Sequence, residues 1–402
     1  MVAAGPEVAV SDVESAGTAS AEGLATGPGA AGEWHAVLLR MAGFVPDDLI
    51  SEARGWLAEG QPVDVAQALA FAAVAGGVPV RAEDAKLISD ELIAAGEDVE
   101  VVARLEILDE DLVEPSPWAF SATLINGDTD PAQVAPMLDL TTDPEALAAL
   151  DEVDRGLLTA VAGEKGAAAL WRAWRAPADG SKGPEPRRVF VVAGTADLSD
   201  DEQPALTVRL QEALSAAGEI DPQVEVCGDR TPVPAYQSNA VARSALLWAR
   251  EPTAPIRIAR VFDGVDPVTG PMFEPDHPRI EDPAEIDQLV SYLESALPVL
   301  TTSSMMADIL DPEHPETVPL TFRTDGEWIW TDTVSYYLRN HSLAPEAELL
   351  THLRAAASGS TVPIVTEVGL HRVMSFLQRP DDTEPVWVVP EMGASESRPA
   401  SV

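Results

Sequence analysis

The chain has 402 residues, 46% of them hydrophobic and 23% charged, a composition that folds into two or three globular domains. Its net charge of −42 excludes nucleic acid as a partner, because a phosphate backbone needs a dense lysine and arginine surface and the only lysines are Lys86, Lys165 and Lys182. The same sign disfavours anionic membrane surfaces, and no run of about 18 apolar residues predicts a membrane span.

Residues 1–31 are rich in Ala, Gly, Ser and acid, with no basic leader and no apolar period, and read as a disordered tail without a secretory signal. Residues 32–108 read as a helical domain. Trp34, Val37, Leu38 and Met41 recur at three-to-four spacing, and Leu49, Ile50, Ala53 and Leu57 repeat the stripe. Further helices over Val63–Ala75 and Glu83–Ala95 end at Gly76-Gly77 and Gly96. Residues 109–142, with Asp109-Glu110-Asp111 and four prolines, form a linker.

Residues 143–186 read as a helical connector that opens with Asp143 as N-cap and Pro144 in the first turn. Helix is expected to run on to Arg175, with Trp171 and Trp174 on one face beside Arg172 and Arg175. The period then changes, and residues 187–356 read as an α/β domain. Strands are expected over Val189–Ala193, Val224–Cys227 and Ile256–Phe262, with helices over Pro204–Ala217 and Ala235–Arg250 between them. Helix Glu285–Ala296 and a strand at Val299–Thr301 follow. A hairpin over Val318–Trp330 then turns at Asp325-Gly326, ahead of helices at Asp332–Arg339 and Pro345–Ala356. Residues 357–402 read as a C-terminal extension and tail, with a late strand at Trp387–Val389. The fold class is mixed α/β: an N-terminal helical bundle, then an α/β sheet domain with a C-terminal hairpin and helices.

Three stretches resemble segments of an acidic protein family of high-GC Gram-positive (actinobacterial) bacteria. They are Asp64-Val65-Ala66-Gln67-Ala68-Leu69-Ala70-Phe71, Ala169-Leu170-Trp171-Arg172-Ala173-Trp174-Arg175, and the run from Phe322 through Asp325, Trp328 and Trp330 to Asp332. The arginine-over-lysine usage fits such a genome. No activity is established for that family, so the resemblance implies none and carries over no catalytic residue.

The chemistry-bearing motifs are sparse. Gly194-Thr195 follows a strand, but neither GxGxxG nor GxxxxGK[ST] occurs, and a turn is the plainer reading. His277, His314, His341, His352 and His371 show no HxxxH or HExxH spacing, so no metal and no cofactor is expected. No GxSxG elbow is present. Cys227 lies in an apolar run and reads as a buried thiol; a single cysteine fits a reducing compartment, so the cytoplasm is expected.

Two readings stay open. The first is a non-catalytic accessory, regulatory or immunity-type factor that binds a protein partner, basic in character, through an acidic or aromatic surface. Trp328, Trp330, Tyr336 and Tyr337 are its candidate aromatic platform, with packing inside the hairpin region as the plainer alternative. The second is an enzyme with a pocket at the carboxyl ends of the α/β strands, edged by Gly194, Thr195, Asp229, Arg230 and Asp263.

Overall fold

The computed structural model describes residues 30–108, 116–125, 135–181, 183–229, 232–266, 268, 270–311, 313, 317–357 and 364–378. Residues 1–29 of the expected N-terminal tail, Arg230, His314 and the strand expected at Trp387–Val389 lie outside the described residues. Four helices open the fold: α1 (Ala30–Met41), α2 (Asp47–Ala58), α3 (Pro62–Gly76) and α4 (Ala82–Ala95). Their apolar stripes meet in one core around Trp34, Leu38, Ile50, Leu69, Ile88 and Leu92, as the helical spacing requires.

The central sheet begins with β1 (Trp118–Ser121) and β2 (Leu138–Asp139), followed by α5 (Pro144–Ala148) and α6 (Glu152–Gly163). Asp143 caps α5 by accepting from the Glu145 and Ala146 amides. Helix stops at Gly163. The residues expected to continue it form instead an 11-residue strand, β3 (Ala167–Pro177). Trp171 and Trp174, three apart in a strand, therefore face opposite sides: Trp171 is buried, while Trp174 lies under the Arg172 and Arg188 guanidiniums at 5.9 and 4.9 Å from its ring centre.

The strand β4 (Arg187–Gly194), helix α7 (Gln203–Ala216) and strand β5 (Gln223–Cys227) form the expected strand–helix–strand unit, with β4 and β5 parallel. The helix expected over Ala235–Arg250 is split into a short α8 (Ala235–Val241) and a strand β6 (Ala245–Ala249). The sheet order is β2-β6-β3-β4-β5, with β1 pairing the far half of β3. β3 is antiparallel to both β4 and β6, so its backbone is paired on both sides, and this tertiary pairing overrides the helix preference of its Ala, Leu and Arg residues.

Side-chain alternation splits the sheet between two cores. Leu170, Phe190, Val192, Val224 and Val226 pack against α6 and α7. On the opposite face Trp171, Ala173, Val189, Val191 and Leu246 meet Leu39 of α1, Tyr236 and Ala240 of α8 and Val368 of α12 (Glu367–Leu377). The helical bundle is thus docked on the sheet. A buried polar seam fixes it there: Arg54 Nη2 donates to Glu225 Oε2 at 2.6 Å, Gln237 Nε2 donates to the same oxygen at 2.9 Å, and the His35 Nε2 lies 2.8 Å from the Val226 carbonyl.

The remaining chain forms a second, four-stranded sheet in the order β10-β13-β14-β7: β7 (Arg257–Ile258), β10 (Leu297–Leu300), β13 (Phe322–Thr324) and β14 (Trp328–Thr331). The strand expected at Ile256–Phe262 is only two residues long and belongs here, parallel to β14, rather than beside β5. Small antiparallel pairs, β8 (Gly264–Asp266) with β9 (Gly270–Met272) and β11 (Met305–Met306) with β12 (Val318–Pro319), flank it. The β13–β14 hairpin turns where expected. Gly326 supplies a φ of +96°, and Asp325 Oδ1 accepts from the Glu327 and Trp328 amides. Helices α9 (Pro283–Ser295), α10 (Asp332–His341) and α11 (Ala347–Ala357) close over Trp328 and Trp330.

Candidate functional site

The aromatic residues of the hairpin do not form a platform. Trp328, Trp330 and Tyr337 are 3%, 1% and 2% exposed: the two tryptophans face the core beneath α9, α10 and α11, and Tyr337 packs in a neighbouring cluster with Val318, Leu343, Phe262 and Phe273. The Trp330 indole N–H donates to the Leu293 carbonyl at 3.2 Å, and Tyr337 accepts from the Ile309 amide. Tyr336 is half-buried, and its hydroxyl donates to Asp308, which also meets His341 Nε2 at 2.6 Å. Burial opposes ionisation of Asp308, yet these hydrogen bonds hold its carboxyl below the ordinary range. The cluster knits α10 to the preceding loop.

The strand-end candidates behave differently. Gly194 ends β4 and Cys227 ends β5, so the parallel pair delivers both chain segments to one edge. A cavity of about 490 Å³ opens there, lined by Gly194, Thr195 and Asp229 together. Asp263 does not line it: it sits at the β8–β9 pair, where its Oδ2 accepts from the Glu274 amide and lies 2.8 Å from His277 Nδ1. The sequence thus brings three of its expected edge residues to one place and sends a fourth elsewhere.

The other walls come from segments far apart in the chain. Trp171 of β3 lies buried beneath the cavity, with its ring 6.2 Å from His371 of α12, and Ala193 and Val233 supply accessible apolar wall. Arg250 lies at the end of β6, and Thr366, Glu367 and Val368 begin α12. Thr366 caps α12 by accepting from the Gly369 amide and donates to Glu251 at 2.8 Å. None of the α12 contributors was expected, since residues beyond 356 show no strong period ahead of Glu367.

Acidic groups outnumber basic ones around the cavity. Its lining arginine is anchored on the backbone rather than on a carboxylate: Arg250 Nε donates to the Ala167 carbonyl and Nη2 to the Glu164 carbonyl, at 3.0 and 2.8 Å. Glu251 is partly compensated by Arg372, 3.7 Å away. Asp229 and Glu367 have no hydrogen-bond or ion-pair partner among the described residues. Glu367 is exposed in the first turn of α12, yet the partial burial of its carboxyl pushes its pKa above the ordinary glutamate value. Burial, then the nearby Glu225 and Glu367 charges, push the Cys227 thiol strongly up and keep it protonated. That environment is the reverse of what a thiolate nucleophile needs. Among the described residues no three His, Cys, Asp or Glu side chains converge as metal ligands, and no helix is long and apolar enough to cross a membrane.

Comparison with known proteins adds nothing to this geometry. No family model matches the chain, and no curated protein sequence or solved structure is detectably similar to it. The cavity is therefore read from its own residues.

Proposed function

We propose that the protein is a non-catalytic interaction factor of the reducing cytoplasm that binds a basic polypeptide, taking one cationic side chain of its partner into the cavity at the carboxyl ends of β4 and β5. One observation carries the reading: among the described residues Asp229 and Glu367 line that cavity with no hydrogen-bonded or ion-paired cation, while the lining Arg250 is anchored away from them on backbone carbonyls. A lysine or arginine side chain entering there satisfies both carboxylates, and its aliphatic stem packs on Ala193 and Val233. The net charge of −42 steers such a partner from a distance, faster at low salt than at high. The raised pKa of the Glu367 carboxyl gives it more to gain from a buried cation than a fully solvated carboxylate has.

An enzyme built on the same cavity has less support. The protonated, buried Cys227 is not poised for attack.

Fluorescence anisotropy with a labelled arginine-rich peptide tests the proposal. The wild-type protein binds it saturably, and affinity falls steeply as salt rises from about 0.01 M to about 1 M, where screening shortens from about 30 Å to about 3 Å. The double variant Asp229→Asn/Glu367→Gln weakens binding by about tenfold or more, whereas Glu59→Gln/Glu97→Gln, which removes the same charge from the bundle surface, leaves it within about twofold. Equal losses in the two variants would reduce the interaction to bulk charge and remove the cavity from it.

A further inference from the structure

A second cavity, of about 630 Å³, lies where α1 and α4 of the helical bundle meet α8 beside the sheet. We propose that it is a binding site for a small, mostly apolar molecule that ends in a hydrogen-bond-accepting oxygen. The site is separate from the acidic cavity and independent of the function proposed for it.

Three features carry the inference. The walls are largely apolar, formed by Met41, Phe44, Val78, Val80 and Tyr236, and the volume falls in the range of about 300–1,000 Å³ typical of small-molecule pockets. The walls are also fixed. Tyr236 is held edge-on to Phe120 with ring centres 5.3 Å apart, its hydroxyl accepts from Arg175 at 2.9 Å, and its ring lies so close to Gly43 that a Cβ there would come within 2.3 Å. Opposite, the Val80 amide donates to the Glu106 carbonyl and the Val80 carbonyl accepts from the Leu108 amide, at 2.9 and 2.8 Å. Side chains anchored in this way cannot collapse to fill the space, so the cavity is preformed for an occupant.

The third feature is a polar edge. Arg40 is bound to buried Asp84 through Nε and Nη2, which leaves Nη1 as a donor with no protein partner among the described residues. The Arg40–Asp84 pair is neutral as a unit, as is the exposed Arg81–Glu83 pair on the rim, so the apolar chamber carries N–H donors at its edge rather than a field for a highly charged ligand. An apolar body with one oxygen acceptor complements that arrangement.

Titration with anilinonaphthalene sulfonate, an apolar dye bearing sulfonate oxygens, tests the site on the full chain. The expected result is one saturable site with enhanced fluorescence. Ala235→Trp and Ala82→Trp each place a bulky ring at an exposed position lining the cavity, and each is expected to weaken the dye by about tenfold or more. Ala94→Trp, on the exposed side of α4 away from the cavity lining, leaves it unchanged. Two rim variants keep the test intact should one fail to fold. Phenylnaphthylamine, the same ring system without the sulfonate, is expected to bind about tenfold more weakly. Dye binding that does not saturate, or that survives in both rim variants, overturns the site; equal affinity for the two dyes overturns the role of the oxygen acceptor.

Discussion

Arg54 and Glu225 are both fully buried, and their 2.6 Å contact joins the bundle to the sheet. Arg54 Nε and Nη1 and the second Glu225 oxygen have no partner among the described residues, so the pair sits in a low-dielectric seam with little support beyond Gln237. Removing one charge strands the other: Arg54→Met should cost about 3–5 kcal/mol in urea unfolding, and the double variant Arg54→Met/Glu225→Leu should regain most of that loss. A double variant no more stable than the single one would show that the pair is not where the energy lies. Residues of this kind were invisible in the sequence. Nothing in Arg54 or Glu225 alone signals that they meet across 171 positions. Gly194, Thr195 and Asp229 were legible because a glycine or turn after a short apolar run marks a strand end, and strand ends in α/β sheets cluster. Glu367 was not legible, because only the docking of α12 brings it to the cavity.

At the scale of elements, the instructive misreading is β3. Its Ala-Ala-Ala-Leu-Trp-Arg-Ala-Trp-Arg-Ala run consists largely of good helix formers, and burial on both faces erases the polar–apolar alternation that would mark a strand. β6, Ala245–Ala249, was absorbed into a helix for the same reason. By contrast β4, β5, α7 and the β13–β14 hairpin were readable, since β-branched runs, caps and an Asp-Gly turn agree with their tertiary roles. Because β3 is paired by β4 on one side and by β6 on the other, its central amides have no route to water short of unfolding the sheet. Hydrogen exchange should therefore find the Leu170 to Arg172 amides among the slowest in the chain, close to the global unfolding limit. Fast exchange there would mean that the sheet opens from its middle.

For the whole molecule, acid has a defined first target. Burial, opposed by the Val226 carbonyl, lowers the His35 pKa from 6.5 to about 4. The unfolded chain then binds the extra proton between those values, so the contribution of neutral His35 is complete above pH 6.5 and is lost as pH falls toward about 4. At pH 5 the loss is about 2 kcal/mol, and a His35→Gln variant should show a flatter decline between pH 7 and pH 5 in urea midpoints. Parallel slopes would place the acid sensitivity elsewhere, and His371, lowered by its own burial beside Leu138, is the next group to test. The acidic cavity adds a consequence in time. Two of its walls are complete once β5 and β6 have emerged from the ribosome, but Thr366, Glu367 and Val368 belong to α12, the last described helix. A nascent chain can thus present its bundle and central sheet while lacking the carboxylate that finishes the cavity. The cation site proposed above is therefore complete only after α12 has been made and has docked beside β5 and β6, later than the sheet it caps.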